Sequence, residues 1–342
     1  MQILENISLA PLTTFGIGGP ARWFAEAASE KEIVEATCWA RDHSVPLFVL
    51  GGGSNVLIAD SGFPGLVLHV AIEGIEHDGA LFRVAAGTDW ERCVQQALGE
   101  DCAGIECLAG IPGSVGGTPV QNVGAYGQEV SSVIDCVRAF DIEARKFVEF
   151  SNSECGFSYR RSRFNTVDRG RFIVTRVDYK LTPGGAPTLH YADLKAHLQS
   201  QSPTLTEVAD AVREIRRGKG MLLVDSDPDC RSAGSFFKNP TVTPEVAERV
   251  RHIAEGSGLP LRTFPADGGL VKIPAAWLIE QTGFAKGFRM GDAGISSRHT
   301  LALINRGGAK AREIIALAQE IVNAVEMKFG IHLDREPDLV GF

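Results

Sequence analysis

The stretch Leu108-Ala-Gly-Ile-Pro-Gly-Ser-Val-Gly-Gly-Thr-Pro-Val-Gln-Asn-Val-Gly-Ala-Tyr-Gly127 constrains this chain more than any other. Its six glycines and two prolines suit neither a helix nor a strand: glycine has more backbone freedom to lose, and proline removes an amide donor. A loop of this length in a compact protein is held by tight packing or by a ligand. On the residues alone an Ω-loop fits as well as a binding segment. A second glycine cluster, Gly51-Gly-Gly-Ser-Asn55, lies between two strand-like runs, Pro46–Leu50 and Val56–Ile58. Successive glycines expose bare N–H groups and permit positive φ, as close approach to a pyrophosphate requires. Ser54 and Asn55 add side-chain donors. Because a strand and not a helix follows, this is not the dinucleotide fingerprint, and a plain strand connection would read the same way. Two acid-free glycine loops in one chain favour a large dianionic cofactor lying between them.

Around these loops the pattern predicts a mixed chain. Ser29 followed by Glu32 is a capping box opening a helix that runs to about His43. Asp89 is placed to cap a helix reaching Gly99. Strand-like runs cover Gly65–Val70, Leu81–Ala85, Val133–Ile142, Lys146–Phe150 and Phe172–Leu181. Helical periodicity returns at Thr204–Arg217, Pro244–Glu255 and Ala275–Gln281. A long helix from about Ala309 to Phe329 carries Ile314, Ala318, Ile321 and Val325 on one face and stops at Gly330. Strands and helices mix without regular βαβ alternation, so an α+β architecture is expected. A length of 342 residues allows about two domains, and a change of composition puts a boundary near residue 215.

The balance of 34 Lys and Arg against 42 Asp and Glu, a formal charge of −8, argues against a nucleic-acid partner. The best apolar run, Val45 to Ile58, is interrupted by its glycines and too short to cross a bilayer. Met1 to Thr13 lacks the basic and apolar regions of a secretory signal. The seven cysteines form no C-x-x-C pair, and the eight histidines show no metal-ligand spacing. Buried thiols in a cytoplasmic protein with no metal are therefore expected.

Three further motifs can carry chemistry. In Gly234-Ser-Phe-Phe-Lys-Asn-Pro240, Ser235 precedes two aromatics, a cation and an amide; alternatively the phenylalanines are core and the serine a turn residue. Phe157-Ser-Tyr-Arg-Arg-Ser-Arg163 is a solvated basic turn or an anion site. Leu333-Asp-Arg-Glu-Pro-Asp338 would ordinarily face solvent.

Taken together with Thr14-Phe-Gly-Ile-Gly18, these segments resemble the UDP-N-acetylenolpyruvoylglucosamine reductase (MurB) family over nearly the whole chain, in order and with sensible spacing. The segments Asn122–Gly127 and Ser232–Pro240 are the specific ones, and His190-Tyr191-Ala-Asp193 is similar to the substrate-covering tyrosine loop of the longer subtype. The resemblance implies a vanillyl-alcohol-oxidase (PCMH) type FAD-binding fold over residues 1–215, in lobes of about 1–68 and 69–215, and a C-terminal α/β substrate domain over 216–342. It implies non-covalent FAD, NADPH as donor, and reduction of UDP-N-acetylglucosamine enolpyruvate to UDP-N-acetylmuramate by a monomer that is not inserted in a membrane. Another FAD oxidoreductase of the same fold is the alternative.

Carried onto this sequence, the cofactor positions are Gly51, Gly52, Gly53, Ser54, Asn55, Ile111, Pro112, Gly113, Ser114, Gly117, Thr118 and Gly124. Arg160, Ser235 and Glu336 fall on the catalytic positions, and Tyr126, Tyr191, Lys219 and Asn239 on substrate-binding ones. Two departures stand out: Met221–Cys230 is longer than the family pattern, and Arg289 stands where a polar substrate contact is expected. The implied chemistry builds negative charge on the substrate carboxylate. A permanent cation at Arg160 and a protonated Glu336 meet that need, and a neutral Ser235 hydroxyl can protonate carbon.

Overall fold

The computed structural model describes residues 1–198, 200–257 and 260–342. Its first lobe is built on strands β1 (Leu4–Ser8), β2 (Pro20–Ala27), β3 (Leu47–Leu50), β4 (Val56–Ile58) and β5 (Phe63–Val70). Four of them form a sheet in the order β1-β2-β5-β3, with β1 antiparallel to β2 and both β2 and β3 parallel to β5. Helix α1 (Glu30–Asp42) crosses from β2 to β3, so one βαβ unit does occur where no regular alternation was read. The Ser29 hydroxyl accepts from the Glu32 amide, and the Glu32 carboxylate accepts from Ala28 N at 2.8 Å. Ile33, Ala36, Thr37 and Ala40 are thereby turned inward.

The second lobe is an antiparallel five-stranded sheet, in the order Lys146–Ser151, Ile134–Asp141, Phe172–Lys180, Leu81–Ala85, Ile75–Asp78. Helix α2 (Trp90–Gly99) starts at Asp89, whose carboxylate accepts from Arg92 N at 3.0 Å. A short helix α3 (Ala192–His197) and then α4 (Leu205–Gly218), capped reciprocally by Thr204 and Glu207, follow the sheet. One apolar core joins the lobes, with Leu66 and Leu68 of β5 packed in the same cluster as Val84, Val137 and Val177.

The C-terminal part carries α5 (Pro244–Ser257), α6 (Ala275–Glu280), α7 (Ala311–Phe329) and a small antiparallel sheet, Arg289–Met290, Ala293–Ile295 and Leu303–Asn305. All four residues expected on the inner face of α7 are buried, and Gly330 terminates the helix at φ 66°. Its core also takes in Phe15, Ile17 and Leu57 from the first lobe. Asp60 reaches across to the start of α7, accepting from Ala311 N at 2.8 Å and Arg312 N at 3.2 Å. The last strand, Asp338–Val340, leaves this part altogether and pairs in parallel with β4. Among the described residues no helix is long and apolar enough to cross a membrane.

Candidate active site

The two glycine loops face each other. A Cβ on Gly52 would lie 2.6 Å from Gly113 Cα, and one on Gly53, at φ +63°, would strike Leu12 O at 1.8 Å. No other residue fits this contact between backbones. The Gly52 amide donates to Ser114 Oγ at 3.2 Å. The second loop is pinned at the start of α2, where Trp90 N donates to Gly113 O at 2.9 Å and Val115 N to Thr88 O at 2.9 Å.

These loops form one wall of a cavity of about 1080 Å³. Gly51, Gly52, Gly53, Ser54, Asn55, Ile111, Pro112, Gly113, Ser114, Gly117, Thr118 and Gly124 all line it. The Thr118 hydroxyl is committed to Val115 O at 2.8 Å and Tyr179 Oη at 2.6 Å, and its amide and carbonyl are paired with Val115 O and Val123 N at 3.0 Å each. Glu336 and Asp338 are the carboxylates on the wall, against Arg160, Arg169, Arg216, Lys219, Lys238 and Arg335. In an acidic chain, this local excess of cations beside bare amides suits an anionic group. A dinucleotide diphosphate fits such a cradle in both charge and backbone clearance.

Arg160, Ser235 and Glu336, separate in sequence, line the same cavity. Arg160 is the second central residue of a tight turn closed by mutual Ser158 and Arg161 backbone hydrogen bonds, 3.0 Å each. It holds φ 56°, a conformation that a non-glycine residue keeps only where its surroundings enforce it. Its Nη2 donates to Gly124 O at 2.7 Å and its Nη1 to Asn122 O at 3.4 Å, while Asn165 Nδ2 grips its own carbonyl at 3.2 Å. That leaves Nε, 3.0 Å from Glu336 Oε1, poorly aligned for a hydrogen bond and without another acceptor.

Glu336 and Ser235 meet through backbone pairing. Phe237 bridges Arg335 in antiparallel fashion, Lys238 N donates to Asp334 O and Glu336 N to Phe236 O, both at 2.8 Å. Phe236 and Phe237 are buried, so the aromatics are core, and they anchor Ser235 at the cavity wall. Gly234, at φ 70°, turns the chain just before Ser235. The Ser235 hydroxyl makes no hydrogen bond to the described residues. Asn55 Nδ2 donates to Gln121 Oε1 at 2.7 Å and to Glu336 O at 3.4 Å, tying the first glycine loop to the C-terminal segment.

Burial pushes the Glu336 carboxyl above the usual glutamate value, against the opposing pull of Arg160 and then Lys238. Burial also raises the hydroxyls of Tyr126 and Tyr191, so both remain proton donors. Tyr126 and Tyr191 pack edge to face, with ring centroids 5.6 Å apart. Lys219 Nζ sits 5.5 Å from the Tyr126 ring and 3.8 Å from Asp193 Oδ2. Tyr126, Tyr191 and Lys219 thus share one end of the cavity.

Two of the residues singled out in the sequence lie outside this lining. Asn239 does not line the cavity; its amide oxygen accepts from Ala275 N at 2.9 Å, because α6 starts after Pro274 without a side-chain cap of its own. Arg289 is exposed on the edge strand Arg289–Met290 and also lies outside the lining. Several lining residues went unread. Arg216 is three positions before Lys219, one helical turn away, and that spacing was the available signal. It is buried, with Nε donating to Gly110 O at 2.9 Å and Nη2 to Met221 O at 2.8 Å. Lys238 stood inside a quoted motif. His299 had no signal; burial, then Lys219, Lys286 and Arg216, bring its pKa down to about 4. The long Met221–Cys230 stretch folds onto Arg298 and Ser296–Ser297 through Asp227 and Asp229. Among the described residues no cluster of His, Cys, Asp or Glu is arranged to hold a metal.

Comparison with known proteins gives a consistent picture. A family model described as UDP-N-acetylenolpyruvoylglucosamine reductase, C-terminal domain, matches residues 227–340, and an FAD binding domain model matches 21–143. The UDP-N-acetylenolpyruvoylglucosamine reductase of Streptomyces coelicolor is 45% identical over 349 residues, covering 100% of this chain and 91% of that one. Its namesake from Thermobifida fusca is 43% identical over 349 residues, with 98% of each chain covered. The crystal structure of the Thermus caldophilus reductase superposes with a TM-score of 0.67 at 28% identity, covering 99% of both chains.

Proposed function

The chain belongs to the UDP-N-acetylenolpyruvoylglucosamine reductase family, and from that premise we infer that it is an FAD- and NADPH-dependent oxidoreductase. It reduces UDP-N-acetylglucosamine enolpyruvate to UDP-N-acetylmuramate, a step in making peptidoglycan precursors. The observation that carries this reading is the meeting of Arg160, Ser235 and Glu336 on a cavity walled by two glycine loops.

The flavin, when bound, supplies two-electron reduction of the enolpyruvyl double bond at the expense of NADPH. Gly51–Asn55 and Ile111–Thr118 would hold its diphosphate and ring, without covalent attachment, and Gly124 would close the ring pocket. The protein's part is to receive the charge that appears on the substrate. As the double bond is reduced, electron density moves onto the carbon beside the carboxylate and into the carboxylate itself. Arg160, held by Gly124 and Asn122 carbonyls, supplies a cation placed in advance. Protonated Glu336 donates a hydrogen bond to the same group, which an ionised Glu336 would repel. Ser235 delivers the proton to carbon.

Tyr126, Tyr191 and Lys219 bind the diphosphate of the sugar nucleotide, with Tyr191 on a covering loop as in the longer subtype, and Asn239, whose amide oxygen also holds α6, belongs to the same substrate-binding set. Residues 1–215 form the FAD-binding unit, its lobes dividing near residue 68, and 216–342 the substrate unit. The protein acts as a cytoplasmic monomer on this small molecule, without nucleic acid. Tyr191→Phe is expected to weaken substrate binding about 10- to 100-fold, the worth of one hydrogen bond to a charged group. An unchanged substrate Kd, titrated by flavin absorbance, would reduce Tyr191 to a packing residue.

The test of the whole reading is anaerobic. The purified protein should be yellow, bleach with NADPH, and regain its absorbance on adding enolpyruvyl-UDP-N-acetylglucosamine. Bleaching by an alcohol and recovery with oxygen, but no recovery with that substrate, would point to a different oxidoreductase of the same fold.

A further inference from the structure

Behind the two tyrosines lies a buried polar cluster that none of the roles above uses. Ala125-Tyr126-Gly127-Gln128 is a two-residue hairpin turn, with Ala125 paired to Gln128 and both central residues at positive φ, 49° and 88°. Such a turn fixes the direction of the Tyr126 side chain relative to Gln128. Gln128 is buried, and so is Glu106 at 1% exposure. The Glu106 carboxylate accepts three N–H groups: Gly104 N at 2.7 Å on Oε2, and Gln128 Nε2 at 2.7 Å and Thr188 N at 2.8 Å on Oε1.

Thr188 lies three residues before Tyr191, and each of its polar groups is taken. Its amide goes to Glu106, its hydroxyl accepts from Gln128 Nε2 at 3.1 Å, and its carbonyl accepts from the Cys107 thiol at 3.2 Å. Burial, and secondarily the Glu106 charge, push that thiol up to about 12, so it stays a donor. Gln128 Oε1 closes the ring by accepting from Cys107 N at 2.8 Å. The segment from Thr188 to Tyr191 is therefore rooted on the same carboxylate–amide pair as the Tyr126 hairpin. Beyond that root, Tyr191 is 43% exposed and touches Tyr126 edge to face.

We propose that Glu106, Gln128 and Thr188 form a buried latch that keeps the Tyr191 loop in register with the Tyr126 hairpin, making Glu106 a positioning residue for the sugar-nucleotide diphosphate. The proposal rests on the reading that Tyr126 and Tyr191 bind this substrate. The latch is selective in its chemistry. Its three partners all donate, so an acceptor-only carboxylate is required; an amide at 106 would set an NH2 against at least one N–H.

The test uses the FAD-loaded enzyme and the variants Glu106→Gln, Thr188→Val and Thr188→Ser. Glu106→Gln should raise the substrate KM about tenfold or more, the loss of one hydrogen bond to a charged group. Reduction of the flavin by NADPH should stay within about twofold, and amides 188–191 should exchange hydrogen faster. Thr188→Val should raise KM in the same direction, and Thr188→Ser, which keeps the hydroxyl, should restore it. An unchanged KM and unchanged exchange at 188–191 would overturn the latch, as would equal losses in the NADPH half-reaction. If Glu106→Gln does not fold, the valine and serine pair decides, and equal KM values in the two overturn it. A parent enzyme that never turns over the enolpyruvyl substrate would instead refute the functional reading itself.

Discussion

Replacing Ser235 with alanine is expected to slow substrate-driven reoxidation of the reduced flavin by about 10²- to 10⁴-fold, the range for a positioned proton donor. Reduction by NADPH should proceed at the parent rate, since no carbon is protonated in that half-reaction. The geometry favours the upper part of the range. The Ser235 hydroxyl has no partner among the described residues. It stands behind a glycine at φ 70° and ahead of two buried phenylalanines, so its backbone is fixed while its proton is free. Among the neighbouring wall residues, Lys238 and Arg335 carry full charges, and no second hydroxyl stands next to Ser235 in the sequence. Ser235→Cys keeps a donor of similar size and should recover part of the rate. Stopped-flow absorbance separates the half-reactions; parent-like reoxidation in Ser235→Ala, or a flavin that no longer reduces, would dismiss the role.

The second large effect concerns Arg160 and Glu336 as a pair. In the absence of substrate, Arg160 Nε lies 3.0 Å from Glu336 Oε1, and burial still keeps the carboxyl above the usual glutamate value of 4.5. When an anionic substrate takes up the guanidinium, Glu336 loses part of its stabilising cation and gains a like charge. Both changes push its proton affinity further up. The sign follows directly. Protonated Glu336 is the working form, so kcat/KM for the enolpyruvyl substrate should fall as pH rises through the raised pKa, and hold level below it. Glu336→Gln, neutral at every pH, should lose this alkaline limb while keeping part of the activity. Arg160→Lys keeps the charge but loses the forked donors and the anchors on Gly124 and Asn122. It should depress the substrate half-reaction by about 10²-fold or more with little effect on reduction by NADPH. A pH profile identical in Glu336→Gln and the parent would remove Glu336 from this scheme.

What the sequence discloses here follows from how local each signal is. The capped helices at Ser29 and Asp89 were legible because a side chain and an amide three residues apart are enough to write the signal. Strands β1 and β2 were not read: Leu4–Ser8 is mostly exposed and Pro20–Ala27 alternates imperfectly, so neither offers a clean period of two. The parallel arrangement of β2, β3 and β5 was therefore also missed. At the site, the glycine loops announced themselves by composition and Arg216 only by its spacing from Lys219, whereas His299 lines the cavity through tertiary placement alone. Asn239 carries a second part that its motif does not show, since its oxygen also supplies the cap that α6 needs. The raised Glu336 carboxyl could be required from the chemistry, but only burial among packed elements produces it.

The pairing of Asp338–Val340 with β4 also bears on the order of events during synthesis. Asn55 and Glu336, which that pairing brings into contact, are 281 residues apart. At about 5–20 residues per second on the ribosome, β4 emerges roughly a quarter of a minute to a minute before the strand that covers its edge. The nascent first lobe must wait with that edge bare, a liability for pairing with a neighbouring chain. The glutamate arrives last of the three reacting side chains. A chain interrupted between Ser235 and Glu336 would carry both glycine loops, Arg160 and Ser235 without the acid that accompanies Arg160. Assembly of the reacting group therefore waits until Asp338–Val340 joins β4 and seats Glu336 beside Arg160.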